Sequence, residues 1–305
     1  MKKYILGILM FASIWACSKE DWPDNSAPER NWLAPEEGAT DEISVLRREF
    51  HDRNGIYLLF SDTLGIRENK TLAGEIVYDY QILGYDMTTP GWSQDSFAYH
   101  YYTNQNERQK AVEFVEEHIL PNISEIFWPG AMLLLDKSEY FKHGYFPEND
   151  YEPGFKPAKI IVAQNKLQAM VFGIGDVTEK TEEEKEAMKN EILQVMVSEK
   201  VSLLPAKDME LFYSYSNEWY NVNGFVITNA GLTYEELGLL SNLEDDGYIS
   251  TTSRDYDLAA FIERIFTISK DEFYTQFQSS PLIISKMEAL VSVLQKYGVN
   301  IYTEE

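Results

Sequence analysis

TEEEKEAMKNEILQVMVSEKVSLLP, residues 181–205, is the stretch around which the rest of the chain is read. Thr181 followed three residues later by Glu184 has the form of a capping box. Met188, Ile192, Val195, Met196, Val201 and Leu203 then recur at helical spacing, and Pro205 stops the run. A long amphipathic helix over 182–204 is therefore expected. Strand patterns precede it and helix patterns follow it. That order predicts an α+β domain with a mixed sheet and a helical C-terminal half, not a doubly wound fold.

Working outward, residues 41–53 carry an amphipathic helix pattern through Ile43, Leu46 and Phe50, ended by Asn54-Gly55. Residues 56–60 and 131–135 read as buried strands. Residues 75–83 read as a strand or extended segment, and 85–103 as aromatic and turn-rich. A second helix is expected over 104–120, closed by Leu120-Pro121. Residues 138–157 read as an irregular excursion. Residues 159–163 and 168–173 bracket Gln164-Asn165-Lys166-Leu167 as a hairpin turn. Beyond Pro205, helices are expected at 207–217, 233–241, 255–268, 270–278 and 281–297.

The N-terminus reads as targeting rather than fold. Lys2 and Lys3 precede an apolar run from Tyr4 to Trp15 that is too short to span a bilayer. Ile14-Trp15-Ala16-Cys17 resembles a bacterial lipobox, although Trp15 departs from the usual small residue. Residues 1–16 are thus expected to be a lipoprotein signal peptide, and Cys17 the lipidation site that ties the mature chain to a membrane. Plain secretory cleavage nearby is the alternative. Residues 17–40, rich in Pro, Asn, Glu and Ser, read as a lipidated tether, and 41–305 as the folded domain. Ser18-Lys19-Glu20-Asp21 resembles an export signal to the outer face of the outer membrane; an ordinary solvated linker has the same composition.

Cys17 is the one cysteine, so no disulfide and no cysteine metal ligand is expected in the fold. The net charge of −24 argues against a nucleic-acid partner and against a peripheral grip on anionic lipid. It suits a domain held off a membrane by a tether.

Motifs that would carry chemistry are sparse. The four histidines are His51, His100, His118 and His143. No two are three or four apart, and none falls in 182–204, so spacing alone gives no zincin motif. Glu244-Asp245-Asp246-Gly247 lacks the alternating oxygens of an EF-hand loop. Gly173-Ile174-Gly175-Asp176 lacks the full dinucleotide fingerprint. No nucleophile elbow and no P-loop is present. Trp92, Trp128 and Trp219, with Tyr99, Tyr101, Tyr102 and Tyr220 nearby, read either as core or as platforms for sugar rings or peptide side chains.

Residues 41–302 nonetheless resemble a family, the substrate import-associated zinc metallohydrolase lipoproteins encoded beside nutrient-import operons. The likeness rests on the opening helix followed by Asn54-Gly55-Ile56-Tyr57, the Leu120-Pro121 turn before a strand, the hairpin, and the long helix at its expected distance. The family carries H-E-x-x-H on that helix and an acidic third ligand in an E-D-F-A-E-like stretch. In this sequence the resemblance places Ser198-Glu199-Lys200-Val201-Ser202 at the first motif. It places Tyr256-Asp257-Leu258-Ala259-Ala260, after Gly247-Tyr248-Ile249, at the second. Ser198, Ser202 and Ala260 would then stand at the metal-ligand positions, with Glu199 a vestige of the general base and Glu263 the acid to watch nearby. Hydroxyls and a methyl group cannot replace imidazoles and a carboxylate on zinc, and Glu199 without the metal has no activated water. An ordinary helix surface is the plainer reading of Ser198–Ser202.

The resemblance implies a zincin-like domain whose long former active-site helix holds no metal and needs no cofactor. It implies a catalytically inactive surface lipoprotein of an outer-membrane nutrient-uptake system, binding a peptide or glycan or docking on the importer. Two alternatives stay open. One is an active zinc metallopeptidase with a non-standard ligand set drawn from Glu199, Glu263 and a histidine. The other is a structural surface protein unrelated to peptidases.

Overall fold

Helix α1 (Glu42–Asn54) opens the described fold. Asp41 caps it by accepting from the Ser44 N–H, and Gly55 closes it at φ 71° with its N–H on the His51 carbonyl. A left-handed residue is needed there, and glycine supplies it without a Cβ clash. The computed structural model describes residues 31–71, 73–83, 96–141, 159–165, 168–240 and 251–302. Residues 33–305 form one compact unit. The expected signal peptide, Cys17, Trp92, His143 and the 244–249 stretch lie outside the described residues.

After α1 come β1 (Tyr57–Leu59), β2 (Thr63–Lys70), β3 (Ile76–Ile82), β4 (Ser96–His100) and α2 (Gln105–Phe114). Helix α2 runs on through a π-helical turn, Val115–Ile119, to the Leu120-Pro121 break. Next come β5 (Ala131–Leu135), β6 (Lys137–Phe141), β7 (Lys159–Ile160), β8 (Ala163–Asn165) and β9 (Met170–Gly173). Helix α3 (Glu182–Lys200) follows, with the expected Thr181/Glu184 capping box.

The main sheet has the order β1-β5-β9-β8. Strands β1, β5 and β9 run parallel and β8 is antiparallel to β9, so the sheet is mixed as expected. Strand β5 is buried at all five positions, as suits an inner strand covered on both faces. Its side chains alternate. Met132 and Leu134 join Leu58, Met170 and Phe172 in the large core, while Ala131, Leu133 and Leu135 join Leu59, Ala169 and Val171 in a smaller one. Helix α3 packs over the large-core face against β8 through Met188, Ile192, Leu193, Met196 and Val197.

Several elements differ from the sequence expectation. Strand β2 was not expected; it pairs with β3 in a separate two-stranded ribbon. Strand β4 lies inside the region read as turn-rich, and β6 overlaps the start of the one read as irregular; they pair with each other, and β6 also pairs with β7. Gln164 and Asn165 belong to β8 rather than to the hairpin turn.

The C-terminal half holds α4 (Ala206–Ser214), α5 (Gly224–Asn229), α6 (Arg254–Thr267), α7 (Lys270–Gln276) and α8 (Pro281–Lys296). Within the expected 233–241 helix, only the short turn Glu235–Leu237 forms, because Gly238 turns left-handed at φ 72°. Helix α6 packs on α3, and α4 on α8. At the heart of this half the Lys286 ammonium is fully buried. It is paired with Asp257, donates to Ser216 Oγ at 3.1 Å and to Tyr220 OH at 3.0 Å, and lies 4.6 Å from the Phe212 ring centre. Tyr220 OH donates to the same Asp257 oxygen at 2.7 Å, and Asp257 Oδ1 accepts from the Leu240 N–H at 3.1 Å. Burial holds Lys286 below the ordinary lysine range, with the Asp257 charge opposing it.

Candidate functional site

The first half of α3, the end of α6 and the edge of the β-structure enclose a groove of about 950 Å³. Helix α3 sends Asn190, Glu191 and Gln194 into it, all on one face by their spacing. Helix α6 adds Glu263, Phe266 and Thr267. Phe97 of β4 and Tyr140 of β6 form an aromatic wall, and Ile161 and Ala163 line the strand side. The apolar stripe that seats α3 leaves this polar face free at its flank, so the same amphipathic pattern that folds the helix aims the groove residues. Glu191 Oε1 accepts from the Val162 N–H at 3.1 Å, tying the helix to the chain just before β8. Glu183 and Glu186 line the groove as well, and Glu186 pairs with Lys189 at 2.5 Å.

Ser198 and Glu199 lie two turns beyond Asn190 and Glu191. Eight residues on an α-helix rotate the face by roughly 80° and advance it by about 12 Å. Ser198 and Glu199 are accordingly exposed, and neither lines the groove. Ser202 lies past the end of α3 in the 3₁₀ turn Val201–Leu203, also exposed. Ala260 is half-buried on α6 and does not line the groove, whereas Glu263, one turn on, does. Of the residues singled out by sequence, the groove therefore contains Glu263.

The residues that sequence reading missed are Asn190, Glu191 and Gln194. A signal was present: Asn190-Glu191-Ile192-Leu193-Gln194 has a glutamate flanked by two residues four apart, the spacing of H-E-x-x-H, with carboxamides at both imidazole positions. A carboxamide is a neutral hydrogen-bonding group and not a member of the usual zinc ligand set. It can donate to and accept from a peptide bond or a sugar hydroxyl.

The three described histidines are dispersed. His51 stacks on Tyr57 with ring centres 4.4 Å apart, His100 bonds Glu139 at 2.9 Å, and His118 tilts against Phe114 at 5.1 Å. None lines the groove. Among the described residues no three His, Cys, Asp or Glu side chains gather so as to hold a metal ion. The alternative set of Glu199, Glu263 and a histidine is therefore not assembled from any of these three. The groove's carboxylates, Glu183, Glu186, Glu191 and Glu263, are of a type that can bind zinc, but no three of them converge on one point.

The remaining candidates resolve as structure. Trp128 Nε1 donates to the Ile123 carbonyl at 3.0 Å and its ring packs on the large core. Trp219 packs on the small cluster of Tyr220, Ile227, Leu237 and Leu239. Tyr99 and Tyr101 pack on the second core, and buried Tyr102 donates to the Gly175 carbonyl at 3.1 Å. Asp176 of the Gly173–Asp176 loop caps a 3₁₀ turn through the Thr178 N–H. These aromatics pack against the cores rather than standing as free platforms.

Set against protein-family models, curated proteins and solved structures, the chain matches none.

Proposed function

We propose that this protein is a non-hydrolytic binding component of an outer-membrane nutrient-uptake system. It is anchored at the cell surface by lipid on Cys17 and takes a peptide or glycan in the groove beside α3. The observation that carries the reading is the lining of that groove. Two carboxamides, Asn190 and Gln194, flank Glu191 at the spacing where hydrolysis would call for imidazoles, and Phe97, Tyr140 and Phe266 supply apolar surface beside them. Amides bond both partners of a polar ligand, and aromatic rings cover its apolar face. The degenerate motif at Ser198, Glu199, Ser202 and Ala260 supports the same conclusion, since neither motif offers a zinc ligand set.

Titration calorimetry of the purified protein against a panel of peptides and glycans tests the reading. A ligand whose affinity falls about tenfold in Gln194→Ala, as expected for loss of a buried hydrogen bond, supports it. A panel without a ligand, or a ligand indifferent to Gln194→Ala and Asn190→Ala, refutes it. One zinc held tightly per chain, with peptidase activity abolished by Glu199→Gln, would make the protein a hydrolase instead.

A further inference from the structure

A second, smaller pocket of about 280 Å³ opens away from α3, where the carboxyl end of β1 meets α1, α2 and the start of β2. Its walls include Phe60, Leu64 and Tyr101, and two guanidinium groups, Arg47 of α1 and Arg108 of α2, share it. No carboxylate lines it. This is unexpected in a chain with 50 acidic residues against 26 lysines and arginines. Arg53, for comparison, meets Glu116 at 2.9 Å. Arg47 instead donates to two carbonyl groups, Leu58 O and Leu33 O, each at 2.7 Å. Arg108 donates to the Tyr102 carbonyl at 2.6 Å. Among the described residues neither forms an ion pair. The adjacent Asp62 is engaged by the Tyr101 hydroxyl.

Arg108 also leaves its Nε buried without a hydrogen-bond partner. A buried, charged N–H without an acceptor is costly and rare in native structures. The guanidinium fork matches a carboxylate in two parallel hydrogen bonds. Ile43, Leu59, Phe60 and Leu64 give the wall an apolar side and Ser61 and Thr63 add hydroxyls, and the volume lies just below the range typical of drug-sized ligands.

We propose that this pocket binds a small monocarboxylate with an apolar body, its carboxylate on Arg108 and Arg47 and its hydrocarbon against Phe60 and Leu64. Partial burial strengthens each charge-assisted bond by lowering the local dielectric. The site is separate from the groove beside α3 and does not depend on the reading of that groove.

Calorimetry of the purified protein with benzoate and hexanoate tests the proposal, with benzyl alcohol as the neutral counterpart and inorganic phosphate as the competing anion. The expected result is binding of the carboxylates at least about tenfold tighter than the alcohol, and a further loss of about tenfold or more in Arg108→Gln, the scale of a hydrogen bond to a charged group. Arg108→Lys keeps the charge but not the fork, and is expected to recover only part of the affinity; it also serves if Arg108→Gln fails to fold. Equal binding of acid and alcohol, unchanged affinity in Arg108→Gln and Arg108→Lys, or phosphate binding without carboxylate binding overturns the assignment. So does the absence of any binding.

Discussion

Two regions of this molecule invert the ordinary rule of burial. The C-terminal helical half encloses a charge, Lys286, among Phe212, Phe261, Tyr220 and Asp257. The β2–β3 ribbon instead holds large apolar side chains in water: Ile66, Ile76, Tyr78, Tyr80 and Ile82 are between 48% and 58% exposed. Pairing register puts Ile66 opposite Tyr80 and Lys70 opposite Ile76, so the five share one face. An apolar side chain in water forgoes its burial energy but leaves the rest of the fold undisturbed. A charge in the core is different, because its solvation has to be replaced by specific partners. The first region should therefore be sensitive to single substitutions and the second tolerant of them.

The largest effect is expected at the ion pair. Asp257→Ala removes the counter-charge and leaves Lys286 buried alone, a loss of about 3–5 kcal/mol in unfolding free energy. Denaturant melts check it, with the double variant Asp257→Leu, Lys286→Met as the decisive arm: replacing both partners is expected to recover most of the loss. A double variant as unstable as the single one would mean that packing, not uncompensated charge, is at stake.

Gly238 comes next. At φ 72° a Cβ there would stand 2.9 Å from Ser216 Oγ and 3.0 Å from Leu282 Cβ, directly beside the Lys286 network. Gly238→Ala is expected to cost about 1–3 kcal/mol through strain and overpacking, read from the same melts.

A smaller effect lies at the start of α3. Thr181→Ala should cost about 1 kcal/mol at neutral pH by loss of the N-cap. The Glu184 carboxylate, held below its ordinary range by bonds from the Thr181 backbone and hydroxyl, gives this cap a pH dependence. A depressed carboxylate stabilises the fold above its unfolded pKa and ceases to as pH falls through the folded one. The stability gap between the parent and Glu184→Gln should thus be full at neutral pH and close as pH drops below the usual glutamate range.

The ribbon should respond least. Ile76→Ser and Tyr80→Ser are expected to shift unfolding by no more than about 0.5 kcal/mol, as exposed positions do. A loss of several times that in either variant would show that the ribbon face is covered in solution and would end the contrast.

The fold was legible where pattern and partner coincide. The capping box at Thr181, the Gly55 stop and the all-apolar 131–135 run each announce an element by local chemistry, and each formed. Strand β2 was not legible, because TLGIRENK has neither alternation nor an apolar run and exists through pairing with β3. The 233–241 helix failed because Gly238 adopts a backbone angle that the apolar spacing does not reveal.

In the groove, the family resemblance drew attention to serines at the end of α3. The face that points into the cavity lies two turns earlier, and the only signal there is the spacing of Asn190, Glu191 and Gln194, whose amides are not a metal-ligand type. Lys286 could have been noticed. It sits on the stripe of Ile283, Met287 and Leu290, where a lysine has no exposed position to occupy.

Glu191 links that groove to the sheet, because its carboxylate is committed to the Val162 N–H. Were the groove to take the proposed ligand, an occupant drawing Glu191 toward itself would free that amide, and the exchange of a single backbone hydrogen with solvent would gauge whether the cleft is filled. The proposed occupancy would then be readable at the chain beside β8, without any label on the ligand.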